Sequence, residues 1–326
     1  MRFSLLARIA ATAALSAFAL PATAQTAHSK DWPPLLGSTP AEIGESLKQG
    51  PQLERGRSAK WLLAEHRKLD TALGTLAPQR KALVDAYVVS VALDSDAVFG
   101  REAREAGKVL SRRFDAVGRT LVLAGSTGTA GDNLPHGSLD SLTLALARVA
   151  ELMDKDQDVL VLYTTSHGAQ VGLAYHDGDQ GYGVLSPARF GAILDELGIR
   201  NRVLILSACY SGIFVPMLAS PDTALLTAAS SERTSFGCQA ENDWTFFGDA
   251  LINRAFRKPQ PLEAASAEAR DTIGEWEMAS RLTPSNPQVA IGSRVARWLK
   301  PLEARMPGSA SAPTGRPAAE AIKAGN

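Results

Sequence analysis

Two residues in this chain combine reactive side chains with placement at the ends of apolar runs. Val159-Leu160-Val161-Leu162-Tyr163 leads into Ser166-His167-Gly168, and Val203-Leu204-Ile205-Leu206 leads into Ser207-Ala208-Cys209. A thiol near its unperturbed pKa of about 8.5 is mostly protonated at neutral pH, and only the thiolate attacks a carbonyl well. An imidazole beside it can help it ionise or protonate a leaving amine, and a helix beginning just beyond it favours the anion. Ile213 to Leu218 has the pattern of such a helix, kept short by Pro216. The backbone N–H groups of Gly168 and Cys209 are candidates to hold the oxyanion of a tetrahedral intermediate. Gly168 suits that place because a residue without Cβ lets a substrate carbonyl come close.

The surrounding pattern explains how the two side chains meet. Tyr87 to Val91, Leu121 to Leu123, Val159 to Tyr163, Val203 to Leu206, Ala224 to Ala228 and Val289 to Ile291 read as six strands. Amphipathic helices separate them. One carries Phe99, Ala103, Ala106, Leu110 and Phe114 on one stripe. A second repeats Leu139, Leu142, Leu146, Val149 and Met153, and a third is capped by Ser186 with Pro187 at its first position. Leu173-Ala174-Tyr175 with Asp177-Gly178 reads as a hairpin, and Trp244 to Phe256 as a helix. The predicted fold class is α/β, a mostly parallel six-stranded sheet sandwiched by helices. Such sheets place their sites beyond the carboxyl ends of the strands, where His167 and Cys209 fall.

The motifs Ser166-His167-Gly168 and Ala208-Cys209-Tyr210-Ser211-Gly212, with Ala228-Ala229-Ser230-Ser231 and Asn242-Asp243-Trp244 further on, resemble the legumain (asparaginyl endopeptidase) family. The resemblance runs from about Asp85 to Gly292. It implies a caspase–haemoglobinase fold and a cysteine endopeptidase that cuts after Asn or Asp through a thioester, with His167 and Cys209 as its dyad. It also implies that Arg101 and Asp243 are the charged walls of a specificity pocket, with Tyr210, Ser230 and Ser231 along it. An Arg and an Asp together can satisfy both ends of an Asn amide. Tyr210 stands where the family has an acidic residue and Phe99 where it has an asparagine. Both departures bear on Asn selectivity and leave the dyad intact.

Composition and competing motifs narrow the function. The 34 Lys+Arg balance 34 Asp+Glu among 326 residues, so no basic excess points to nucleic acid. Arg2 and Arg8, the apolar stretch Ile9 to Leu20 and Ala22-Thr23-Ala24 predict a signal peptide over 1–24 and an exported, periplasmic or secreted enzyme without a membrane span after cleavage. A helical leader is expected over 25–80, opened by Trp32-Pro33-Pro34, with Leu62, Leu69, Leu73 and Leu76 on one helix face. The peptidase domain is expected over 81–300, and a disordered tail, rich in Ala, Pro, Ser and Gly, over 306–326. Cys209 and Cys238 are the two cysteines, and a bridge between them would silence the nucleophile, so Cys238 is read as a packed thiol near the pocket wall.

No metal or cofactor is expected. His167, His176, Asp177 and Asp179 lack a zinc-type spacing, and the Asp-Gly pair is explained as turn chemistry. Gly125-Ser126-Thr127-Gly128 with Gly131 lacks the dinucleotide spacing, and Ser211 lacks a nucleophile elbow. The expected partner is a peptide or protein substrate. A peptide-binding module that does not cut, or a transpeptidase on the same scaffold, is the alternative.

Overall fold

The computed structural model describes residues 36–125 and 133–323. The predicted signal peptide, Trp32-Pro33-Pro34 and part of the glycine-rich loop after Gly125 lie outside them. In chain order the elements are α1 (Pro40–Gln49), β1 (Gln52–Glu54), α2 (Ala59–Gly74), β2 (Ala86–Ala92), α3 (Ala97–Arg113), β3 (Thr120–Leu123), α4 (Leu139–Leu152) and β4 (Val159–Thr165). There follow β5 (Gly168–Ala169), β6 (Gly172–Asp177), β7 (Gly181–Leu185), α5 (Pro187–Glu196), β8 (Arg202–Ser207), a 3-10 turn (Ser211–Phe214), α6 (Val215–Leu218) and β9 (Thr223–Thr227). A π-helix (Gly248–Arg254), α7 (Leu262–Ala279), β10 (Gln288–Ile291), α8 (Ala296–Glu303) and α9 (Ala318–Lys323) complete the described chain.

The six predicted strands form one sheet in the order β10-β9-β8-β4-β2-β3. All neighbours are parallel except the edge strand β10, which runs antiparallel to β9. Helices cover both faces, which is why every residue of β2, β4 and β8 is buried and these strands read as continuous apolar runs. Strand alternation sorts the side chains. Ala86 and Val88 pack with Phe114 of the α3 end, Leu262 of α7 and Trp298 of α8, while Tyr87, Val89 and Val91 pack with Leu142 of α4 and Phe190 of α5. Among the described residues no helix is long and apolar enough to cross a membrane.

Both the first and the last described segments differ from expectation. The leader holds helices, but it also contributes β1, which pairs with β7 at the rim of a second, antiparallel sheet ordered β1-β7-β6-β5. Arg57, just after β1, is ion-paired to buried Asp177 at 2.5 Å. Three residues are too few to show strand periodicity, and the pairing partner lies far along the chain. Helix α2 ends at Gly74, short of Leu76, and Leu62 stays 53% exposed while Leu76 is buried.

The disordered tail is a correction. Thr314 N–H donates to Asn253 Oδ1 at 2.9 Å, Trp244 Nε1 donates to the Thr314 carbonyl at 2.8 Å, and Ala318 N–H donates to Asp249 Oδ2 at 2.8 Å. Ala318 is buried in the core and opens α9. Its composition lacks apolar area, but polar groups of the π-helix, distant in sequence, supply the partners that composition cannot reveal. The stretch expected to be helical from Trp244 to Phe256 takes the π form over Gly248–Arg254, and α7 and α8 were not foreseen.

Beneath the strand ends lies Glu102, fully buried on α3. Its carboxylate accepts from Thr165 Oγ1 at 2.8 Å, Ser207 Oγ at 3.0 Å, Thr245 N–H at 2.8 Å and the Tyr163 hydroxyl. Thr165 and Ser207 close β4 and β8 two residues before His167 and Cys209. A Cβ on Gly248 would collide with the same carboxylate, so the chain passes there only as glycine. Removing the acceptor in Glu102→Ala strands a backbone donor that cannot turn away. The expected loss is roughly 2–4 kcal/mol, with a smaller one for Glu102→Gln, read from urea unfolding; a loss under about 0.5 kcal/mol would show that Glu102 is not the tie.

Candidate active site

Strands β4 and β8 are direct hydrogen-bonded neighbours with Thr165 opposite Ser207, and this register carries His167 and Cys209 out at the same edge. Gly168 has a further reason to lack a Cβ. A Cβ there would strike the carbonyl oxygen of Cys209, so the glycine lets the two strand ends touch. Tyr210 takes a left-handed backbone (φ 57°) and its N–H donates to the Arg233 carbonyl at 2.8 Å. This turns the chain sharply after Cys209 into Ser211–Phe214 and α6, a conformation unusual for a bulky residue and costing of order 1–3 kcal/mol.

A third strand end joins them. Strand β2 runs on to Asp94-Ser95-Asp96, and Asp96 caps α3. His167 Nε2 lies 3.2 Å from Asp96 Oδ2, and the ring meets Phe99 edge-on with centroids 5.0 Å apart. Phe99, where the resemblance led to an asparagine, thus packs the imidazole, and Asp96 supplies the polar partner. Asp96 N–H in turn donates to Asp94 Oδ1 at 2.9 Å, and Asp94 is buried. The strand-end logic that found His167 and Cys209 applies equally to Asp94 and Asp96, but carboxylates at a helix start read as ordinary caps.

The two thiols are placed differently from expectation. Cys238 packs beside Phe99 and Ala103, close to His167 rather than only along a wall. Neither cysteine makes a well-aligned hydrogen bond with His167 among the described contacts. The Cys209 sulfur instead accepts from Ser235 N–H at 3.3 Å and sits 3.7 Å from the Ser235 hydroxyl. Burial pushes the Cys209 thiol up, with the Ser235 N–H opposing. His167 is raised to about 9, first by its interaction with Cys238, against burial and with help from Asp96. The surroundings thus favour the protonated form of both His167 and Cys209 over what water alone would give. Both cysteines are free.

The residues expected to set specificity divide. Tyr210, Ser230 and Ser231 stay near Cys209, since Gly212 abuts the Ser230–Ser231 backbone. Arg101 and Asp243 face each other at 3.6 Å, but Arg101 also donates to the carbonyls of Ala240 and Asn242, and Asp243 Oδ2 accepts from Arg316 N–H at 2.7 Å. The pair lines a cavity of about 520 Å³ with Arg104, Trp244 and Gly315, and neither dyad residue lines it. A larger cavity of about 690 Å³ lies by α7 and β10, away from this chemistry. Asp177, one of the carboxylates beside His176, is taken by Arg57.

The parallel sheet thus carries a histidine and a cysteine at neighbouring strand ends, with a second cysteine in a nearby loop. Residues 140–293, which carry His167, Cys209 and Cys238, match the peptidase C13 family. The match spans a little under half of the chain, and over that segment the chain is similar to peptidases of the C13 family. Among solved structures, caspase-1 from Spodoptera frugiperda is similar at 11% identity with a TM-score of 0.42, covering 67% of this chain and 93% of that one. No curated protein matches.

The raised His167 has a consequence for pH. A folded pKa above the usual value of about 6.5 means that its contribution to stability is complete below that value and lost as pH rises through about 9. Because the side chain is 42% exposed, the effect on folding is small. Imidazole NMR should show His167 titrating near 9, and Cys238→Ala should move it down; an unchanged midpoint in that variant would remove Cys238 as the cause.

Proposed function

We propose that the chain is an endopeptidase in which the Cys209 thiolate attacks the scissile carbonyl and His167 protonates the leaving amine. The observation that carries this reading is the delivery of both side chains to one sheet edge by neighbouring strands within the C13-matched segment. Attack forms the carbon–sulfur bond and an oxyanion, for which the N–H groups of Gly168 and Cys209 are the proposed donors. Collapse breaks the carbon–nitrogen bond and leaves a thioester, which water hydrolyses with His167 now acting as base. Asp96 on Nε2 leaves Nδ1 to exchange the proton with sulfur. The side chain of His167, 42% exposed, has room to turn from Cys238 toward Cys209 when substrate arrives.

The nearness of Cys238 to His167 supports a second reading, with Cys238 as nucleophile. Placement favours Cys209, which ends a strand and precedes a turn of helix, whereas Cys238 lies in a loop. Cys209→Ala is expected to abolish peptide cleavage while Cys238→Ala keeps it within about tenfold. A peptidyl thiol electrophile should modify Cys209, and more slowly in His167→Ala. Modification of Cys238 instead, traced by mass spectrometry, would exchange the two roles.

For specificity we propose cleavage after Asn first and Asp second, with Arg101 and Asp243 as the charged walls. A pocket with one cation and one carboxylate satisfies both ends of a buried amide and leaves an apolar side chain facing unpaired charges. In the resting fold those charges are held by the carbonyls of Ala240 and Asn242 and by Arg316 N–H, so the substrate must exchange with them. Peptides varied only before the scissile bond test this at acidic and neutral pH. Asn should be preferred throughout, Asp should gain at low pH where its carboxyl is protonated, and Arg101→Ala should lose the preference by at least about tenfold. Best cleavage after apolar or basic residues sinks the pocket assignment and leaves the dyad standing.

A further inference from the structure

We propose that Asp94, Asp96 and His167 form a binding site for a divalent transition-metal ion, best fitted to zinc, whose occupancy withdraws His167 from catalysis. One carboxylate oxygen from each aspartate and a ring nitrogen of His167 all lie within 4.8 Å of one another. Two carboxylates and an imidazole are a donor set for zinc and its neighbours in the first transition row. Calcium, which takes six or more oxygens, is not served by two carboxylates.

An independent observation at Asp94 points to a cation. Asp94 is only 1% exposed, yet its Oδ2 accepts no hydrogen bond. Its other oxygen is used by Asp96 N–H. A buried carboxylate oxygen without a donor is costly, and native chains rarely leave one. A metal ion satisfies it directly. His176 Nδ1, 3.5 Å from the same oxygen, is within reach as a fourth ligand. The hairpin that carries it is fixed to the strand end, since His176 N–H donates to the Leu93 carbonyl and Ser95 N–H to the His176 carbonyl.

Metal–ligand bonds of about 2.0–2.2 Å require the three donors to draw together. Asp94 is the fixed anchor because it is buried. His167 and Asp96 are 42% and 45% exposed at their side chains, so rotation of these two closes the site without moving the backbone. A metal on the Nε2 that now faces Asp96 replaces the hydrogen bond that orients the ring. It also holds the imidazole as a ligand, so it can no longer take a proton from the Cys209 thiol.

The inhibitory consequence rests on the peptidase reading above, whereas the site itself does not, and the test separates the two. Metal-free full-length chain is titrated with Co2+, followed by its visible spectrum, and with Zn2+ in calorimetry. The expected result is one ion per chain, cobalt bands without a sulfur-to-metal charge-transfer band, and displacement of Co2+ by Zn2+. Asp94→Asn should bind at least about tenfold more weakly, the loss that even an outer-shell partner can cause, while Cys238→Ser binds as the parent does. Zn2+ should stop peptide cleavage with the same apparent Kd, and whatever cleavage Asp94→Asn retains should need at least about tenfold more Zn2+ to be halved. If Asp94→Asn melts below the assay temperature, imidazole NMR of the parent replaces it, and Zn2+ must then shift the His167 and His176 signals together. No saturable binding, unchanged affinity in Asp94→Asn, or a charge-transfer band lost in Cys238→Ser would overturn the site. Binding as expected with no effect on cleavage would overturn the inhibitory role alone.

Discussion

The geometry of the active edge hangs on the buried carboxylate of Glu102. It is an acidic group with no exposure, and it is tolerable there because four donors from three segments converge on it. Those donors come from β4, β8 and the loop before the π-helix, and the acceptor itself stands on α3. The carboxylate therefore sets how far β4 and β8 extend before the chain leaves the sheet. Two residues beyond this tie stand the histidine and the cysteine. Burial and the Glu102 charge also hold the Tyr163 phenol well above its usual range, so the network keeps its protons at any ordinary pH.

Around His167 the environment is charged on one side and sulfur-lined on the other. Asp96 and Phe99 both come from the first turn of α3, the helix that also carries Glu102 and Arg101. One helix thus orients the imidazole, ties the strand ends and reaches the loop of Ala240 and Asn242. The loop in turn brings Cys238 next to His167. A ligand that enters there must compete with contacts the protein already makes to itself, and the surroundings favour the protonated forms of His167 and Cys209.

The first and last described segments are part of this architecture rather than appendages. Strand β1 and Arg57 complete the small sheet whose hairpin holds His176 beside Asp94. The segment around Thr314 to Ala318 closes over the π-helix and places Arg316 N–H on Asp243. Neither docking relies on an apolar stripe of the kind that periodicity detects. Both use hydrogen bonds and ion pairs between residues far apart in sequence, and each of these depends on the partner being already in place.

What the sequence determined by itself was the repeating α/β pattern and the delivery of His167 and Cys209 to one edge. Parallel strands buried on both faces must be apolar throughout, and amphipathic helices must show their stripe, so both leave a local signature. Tertiary structure alone decided that Asp96 and Asp94 gather at His167, that Cys238 approaches the imidazole while Cys209 leans on Ser235, and that the tail is ordered. An aspartate at a helix start looks the same in sequence whether it meets water or a histidine. Its role depends on distances across the sheet edge, and those are fixed only when strands β2, β4 and β8 lie in register.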